Sequence, residues 1–193
     1  MSKIENIKEL REQTGSGVLD CQKALKEANN DLEKAIEILR KKGKKIMAQK
    51  QSRSTNEGVI EAYVHNNNKI GVLVTLVCET DFVARNKEFK ELAHDLAMQV
   101  AANNPQWIKP EDVPEEVIAQ ERKIIKEGLP QNKDLQIQEK IINGRLDKFY
   151  TEVCLLEQPF IKEDDKKIKE LIQEKVAKLG ENIQVSNFIR FEL

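Results

Sequence analysis

The side chains able to act as nucleophile, general base or metal ligand are few in this chain: two histidines, His65 and His94, and three cysteines, Cys21, Cys78 and Cys154. No His-x-x-x-His or Cys-x-x-Cys spacing occurs, so the set does not have the form of a zinc or redox site, and no metal or cofactor is expected. Thr14-Gly15-Ser16-Gly17 lacks the Gly-x-x-x-x-Gly-Lys-Ser/Thr frame of a phosphate-cradling loop and reads as a turn. The carboxylates are abundant but spread over helix faces. A catalytic site needs a nucleophile with its base, a metal cluster or a phosphate loop, and these residues supply none. The pattern points to a protein that acts by contact rather than by covalent chemistry.

The contact surface with the clearest design is Cys78-Glu79-Thr80-Asp81-Phe82-Val83-Ala84-Arg85-Asn86. Upstream, Ile70 to Cys78 carries no charge and is rich in β-branched residues, the pattern of a short buried strand. Downstream, Phe89, Leu92, Ala93, Leu96, Ala97, Val100 and Ala101 recur at three- and four-residue steps, one face of a helix from about Val83 to Asn103. Asp81-Phe82 therefore lies on a junction between two anchored elements, where an aromatic ring can meet a partner with little loss of conformational entropy. The competing reading is local: Thr80 or Asp81 caps the helix and Phe82 staples it to the core.

Lys and Arg total 32 against 33 Asp and Glu, giving a net charge of -1 and no general attraction to nucleic acid or anionic membrane. No window approaches the roughly 20 apolar residues of a membrane span, and the N-terminus Met1 to Asn6 has no long apolar run. A soluble, uncleaved chain is expected. Cys78 and Cys154 sit in apolar runs, where cysteine behaves as a small buried hydrophobe, and the odd, widely spaced set suits a reducing compartment. A length of 193 residues accommodates one ordinary domain and a small module.

Residues 1–42 read as three short helices. Thr14-Gly15-Ser16-Gly17 ends the first and Asn29-Asn30-Asp31 ends the second and caps the third. From Gly43 to Asn56 the apolar pattern fades into Lys, Gln, Ser and Arg, the composition of a basic, solvated linker; its cations lack interleaved aromatics for stacking on bases. Residues 57–193 follow as a core. Val59 to His65 and Ile70 to Cys78 flank Asn66-Asn67-Asn68 as a β-hairpin. Trp107 plugs a core edge between Pro105 and Pro110. Helices are expected from Pro114 to Gly128 and Pro130, and over Leu135 to Phe149. Thr151 to Glu157 reads as a strand, Ile168 to Leu179 as a last helix, and Ile183 to Phe191 as a final strand with a bulge near Asn187. The whole is α+β, with a small antiparallel sheet packed against helices.

Thr80-Asp81-Phe82-Val83-Ala84 resembles the signature of the elongation factor Ts family, whose members expel GDP from the GTPase elongation factor Tu. Leu10 to Leu25 resembles the family's N-terminal signature. Gly144 to Tyr150, Glu157 to Phe160 and Phe188 to Glu192 resemble its C-terminal part. The resemblance implies a ubiquitin-associated-like fold for residues 1–42 and a dimerisation and exchange core over 57–193. It implies that this short, single-core form pairs as a homodimer, and that its partner is elongation factor Tu, both GDP-bound and nucleotide-free, in the cytoplasm or in an organelle. By the same resemblance Thr80, Asp81, Phe82 and Val83 form a tip that displaces the GTPase's Mg²⁺, with Phe82 the apolar wedge and Asp81 its polar companion. Leu10, Arg11, Val18 and Leu19 form an N-terminal patch that anchors the complex. Two functions from other classes remain open on the residues alone: an RNA-binding module using the basic linker, and a thiol enzyme using Cys21, Cys78 or Cys154.

Overall fold

The computed structural model describes residues 3–50, 52–129 and 134–193, and among these the chain forms eight α-helices and five strands. The first three helices are α1 (Lys3–Thr14), α2 (Val18–Glu27) and α3 (Leu32–Lys50). Leu10, Cys21, Ala24, Leu25, Ala28, Ala35 and Leu39 close a small core between them, with Ile7, Leu32, Ile36 and Ile38 packed on it. The turns follow the residues that tolerate left-handed backbone: Gly15 has φ +63°, and Asn29 and Asn30 have φ +53° and +62°. The Thr14 hydroxyl donates to the Leu10 carbonyl at 2.7 Å, and Asp31 Oδ1 accepts the Lys34 N–H at 3.1 Å at the start of α3. The expected linker is half helix: α3 continues through Gly43 to Lys50. Lys and Gln are good helix formers, and the Lys50 ammonium ends the helix on the Gly180 carbonyl.

Three strands, β1 (Glu57–Val64), β2 (Ile70–Cys78) and, at the C-terminus, β5 (Gln184–Glu192), form one sheet in the order β1-β2-β5. The first two make the expected hairpin, since five residues can join only antiparallel neighbours; Asn68 adopts φ +55°, and the His65 N–H reaches the Ile70 carbonyl at 2.9 Å. Central β2 buries Val72, Val74, Leu76 and Cys78. Gly58 is obligatory in β1, because a Cβ there would lie 2.2 Å from the Leu76 carbonyl oxygen.

The helix expected from Val83 to Asn103 is two helices, α4 (Asp81–Arg85) and α5 (Lys87–Asn103). Asn86, extended at φ -64° and ψ 137°, separates them and caps α5 by accepting the Glu88 N–H at 2.8 Å. The apolar positions of α5 from Phe89 to Ala101 are buried as their spacing requires. Next come α6 (Glu115–Glu127) and α7 (Leu135–Val153), joined around Ile125, Leu129, Ile142 and Leu146. Gly128 caps α6 as expected, whereas Pro130 lies outside the described residues.

No strand forms over residues 151–157. There α7 runs on to Val153, the Thr151 hydroxyl bonding back to the Asp147 carbonyl at 2.9 Å, and a 3₁₀ turn follows. β-Branched side chains signal strand only weakly against such a continuing helix. Half-buried Trp107 pins the exit: Cys154 bridges to it, and the Leu155 N–H donates to its carbonyl at 2.9 Å.

A two-stranded ribbon, β3 (Pro159–Phe160) with β4 (Glu163–Lys167), has no counterpart in the sequence reading. It rests on buried Gln99, whose amide donates to the Gln158 side chain and the Pro159 carbonyl, both at 3.1 Å, and accepts the Ile161 N–H at 2.9 Å. The last helix, α8 (Ile168–Leu179), stops at Gly180 with φ +79°. In β5 the alternation slips at exposed Ser186 and Asn187, so that Phe188 and Arg190 are half-buried while Ile189 and Phe191 face outward.

The described chain divides into two compact units. One comprises Met1–Glu61, Val74–His94 and Glu170–Ser186, and the other Ala62–Leu73, Asp95–Lys169 and Asn187–Leu193. The division cuts through β1, β2, α5, α8 and β5.

Candidate partner-contact site

Strand β2 ends at Cys78, and the next backbone groups are past the sheet ladder and need partners of their own. They find them in Glu181. One carboxylate oxygen of Glu181 accepts the N–H groups of Glu79 and Thr80, at 3.1 and 3.0 Å, and the other accepts the Thr80 hydroxyl at 2.6 Å. The arrangement is reciprocated. Glu79 Oε1 accepts the Asn182 N–H at 2.7 Å, its other oxygen lies 3.3 Å from the Arg53 guanidinium, and the Asn182 side-chain amide donates to the Arg53 carbonyl at 2.9 Å. The Asn182 N–H bond, followed by Arg53, holds the Glu79 carboxyl below its ordinary pKa. Two crossed carboxylates thus tie residues 79–80 to the turn after α8.

On this base stands α4, a helix of five residues. Ala84 turns inward and is buried, and Val83 is half-buried. Phe82 points out with 82% of its surface exposed. Asp81 is half-exposed and pairs with Arg85 one helical turn on, at 3.0 Å. Of the local alternative, the Thr80 hydroxyl is engaged by Glu181 and makes no cap bond, and the exposed Phe82 ring does not staple the helix to the core. Isolated exposed apolar residues are ordinary on surfaces. This ring differs in being held at the end of a segment whose backbone is fixed on both sides.

The four residues of the N-terminal patch separate. Arg11 is exposed, Val18 is 42% and Leu19 70% exposed, and these three remain on the surface of α1 and α2. Leu10 has no exposed surface; it faces the three-helix core with Cys21, Ala24 and Leu25, as a module this small needs its apolar residues inside. Leu10 therefore belongs to the core and not, as expected from the resemblance, to a surface patch.

The cysteines are all buried. Burial, with Glu181 nearby, pushes the Cys78 thiol up to about 11, and burial pushes Cys154 to about 11; burial also raises Cys21. Such thiols stay protonated near neutrality and are poor nucleophiles, which counts against a thiol enzyme. His94 lies on the helix surface with its Nδ1 2.9 Å from a Glu61 carboxylate oxygen, and His65 contacts the Tyr63 hydroxyl at 3.0 Å. Among the described residues no group of three or more His, Cys, Asp and Glu side chains is arranged to hold a metal, and no helix is long and apolar enough to cross a membrane. Glu79, Glu181 and Asn182 were not legible as parts of the site. The only local signal is Gly180, a helix stop directly before a carboxylate, and Glu79 and its hydrogen-bond partner Glu181 lie 102 residues apart along the chain.

The sequence matches the family model described as Elongation factor TS over residues 2–193. The chain belongs to the elongation factor Ts family. Its relatives include the elongation factor Ts of Carboxydothermus hydrogenoformans, 56% identical over 188 residues that cover 97% of this chain and 87% of that one. That of Thermotoga maritima is 56% identical over 190 residues, covering 98% and 95%, and that of Moorella thermoacetica is 53% identical over 189 residues, covering 97% and 93%. The segment that resembles the elongation factor Ts signature, Thr80 to Ala84, is the one that carries the exposed ring.

Proposed function

We propose that this chain is a guanine-nucleotide exchange factor for elongation factor Tu, acting in the elongation phase of protein synthesis by contact and not as an enzyme. Membership of the family supports the role, and the exposed Phe82 on an immobilised tip is the observation that carries the mechanism. GDP in such a GTPase is gripped by backbone N–H groups of a phosphate loop and by Mg²⁺ on phosphate oxygens. Phe82 enters the GTPase beside that site as an apolar wedge, Asp81 accompanies it as the polar contact, and Thr80 and Val83 form the shoulders of the tip. Shifting the elements that hold Mg²⁺ removes the largest positive charge on the diphosphate, and GDP leaves faster. Linkage requires the converse: whatever factor by which this chain weakens GDP binding, GDP weakens the binding of this chain. The complex therefore forms with GDP-bound elongation factor Tu and is tightest without nucleotide.

Arg11, Val18 and Leu19 on the surface of the ubiquitin-associated-like module, residues 1–42, act as an affinity anchor for the same partner. The core pairs two copies of the chain. Outward-facing Val64, Leu73, Ile189 and Phe191, exposed by 62, 43, 47 and 62%, favour an apolar homodimer face on the strands of the second unit. The near-neutral charge supports neither nucleic acid nor membrane as a direct partner, and the cytoplasm is the compartment that suits three free cysteines.

The test is stimulated release of labelled GDP from elongation factor Tu. The native chain is expected to accelerate it, and the complex is expected to dissociate as GDP is added in excess. Absence of both effects overturns the reading.

A further inference from the structure

The direction in which Phe82 projects is not set by α4 itself. A five-residue helix is too short to be oriented by its own packing, and only Ala84 is buried. Its exit is carried by Asn86 into α5, and its entry by the backbone extended at Thr80 with φ -130° and ψ 156°. The two N–H groups of that entry and the Thr80 hydroxyl make three hydrogen bonds to Glu181, two on one oxygen and one on the other, and the Cys78 thiol adds a fourth to the Thr80 carbonyl at 3.2 Å. A carboxylate bonded through both oxygens is fixed in plane as well as in position. Glu181 is in turn fixed by its neighbours. Gly180 receives the Lys50 ammonium on its carbonyl, and Asn182, 1% exposed, is tied to Glu79 and to the Arg53 carbonyl. The turn 180–182 thus braces the tip against the end of α3 and the residues just after it.

We propose that Glu181 is a positioning residue for nucleotide exchange: its carboxylate, bridging the Glu79 and Thr80 backbone and the Thr80 hydroxyl, holds the Asp81-Phe82 tip at the angle needed to act on the GTPase. The inference rests on the exchange reading above. Glu181 touches no partner; it removes the freedom that the tip would otherwise lose on reaching the transition state for GDP release. Its loss should therefore slow the maximal stimulated rate while leaving the concentration for half-maximal stimulation, set by the anchor on α1 and α2, nearly unchanged.

The experiment compares the native chain, Phe82→Ala, Glu181→Ala and Glu181→Gln in stimulated release of labelled GDP from elongation factor Tu over a range of factor concentrations. Amide hydrogen exchange of each free chain is measured alongside. Glu181→Ala is expected to lower the maximal rate about tenfold or more with half-saturation within about twofold, and to free the amides of Glu79 and Thr80 while the rest of β2 stays protected. Glu181→Gln should recover at least half of the native rate, because an amide oxygen accepts both N–H groups and the amide nitrogen donates to the Thr80 hydroxyl oxygen.

A Glu181→Ala chain exchanging at the native maximal rate, beside an inactive Phe82→Ala chain, overturns the positioning role and leaves the exchange reading standing. Loss of amide protection throughout β2 and α5 in Glu181→Ala overturns it too, since the residue would then be holding the fold. A Glu181→Gln chain as slow as Glu181→Ala has the same consequence. If the native chain stimulates no release, the exchange reading fails and the positioning role with it.

Discussion

Leu10 and Leu19 are the same side chain in opposite surroundings, one enclosed by the three-helix core and the other 70% exposed. Leu10→Ala should therefore destabilise the chain by about 2–5 kcal/mol through the cavity it leaves, whereas Leu19→Ala should leave thermal unfolding unchanged and raise the concentration for half-maximal GDP release several-fold. Urea unfolding beside an exchange titration separates the two; equal stability loss in both would remove Leu19 from the anchor. Glu79 supplies a pH-dependent contribution. Its folded pKa lies below the ordinary carboxylate value, so its stabilisation is fully present above about pH 4.5 and fades as pH falls through the lower folded value. The stability difference between the native chain and Glu79→Gln should accordingly shrink on acidification from pH 5 to about pH 3. A difference constant across that range would contradict the role of the carboxylate. At this scale the sequence displayed Phe82 and Asp81 by type and by their place between two anchored runs, but not Glu181, because no local spacing connects residues from opposite ends of the chain.

Elements with a strong period were legible and their ends were not. The apolar steps from Phe89 to Ala101 foretold α5, and Asn66-Asn67-Asn68 foretold the hairpin. The break at Asn86 was invisible because the apolar steps of α5 begin only at Phe89 and polar residues precede it, so only the backbone turn at Asn86 and its cap on Glu88 reveal two helices. Asn86→Ala should cost about 1 kcal/mol by deleting that cap, measurable as a lowered urea midpoint; an unchanged midpoint would mean that α5 starts without it. The extension of α3 to Lys50 and of α7 to Val153 has a shared origin. Helices continue where residues are compatible and a tertiary contact receives their end, here the Gly180 carbonyl and the bridge from Trp107 to Cys154, and neither contact is written locally. The β3-β4 ribbon was missed for the same reason: its support is Gln99, a polar residue on an otherwise apolar helix face.

For the molecule as a whole, the outward Val64, Leu73, Ile189 and Phe191 are expected to be covered by a second copy. Phe191→Asp should shift the chain toward monomer in sedimentation experiments at micromolar concentration, with circular dichroism unchanged. A native chain that sediments as a monomer would set the dimer aside without touching the tip. The α+β class followed from interspersed strands and helices with a hairpin among them, and three ordered signatures pointed to the family across the chain. What composition could not supply is the division of the fold, because β1, β2, α5, α8 and β5 each pass through both compact units.

On the proposed function Phe82 serves a partner and not its own core. The most direct test of that role is Phe82→Ala, measured at equal folded concentration for stimulated release of labelled GDP from elongation factor Tu and, in parallel, for thermal unfolding. The ring is 82% exposed, so the melting temperature should stay within a few degrees of native while the stimulated rate falls tenfold or more, the scale of an interface hot spot. A large drop in melting temperature with native exchange per folded molecule would contradict the account.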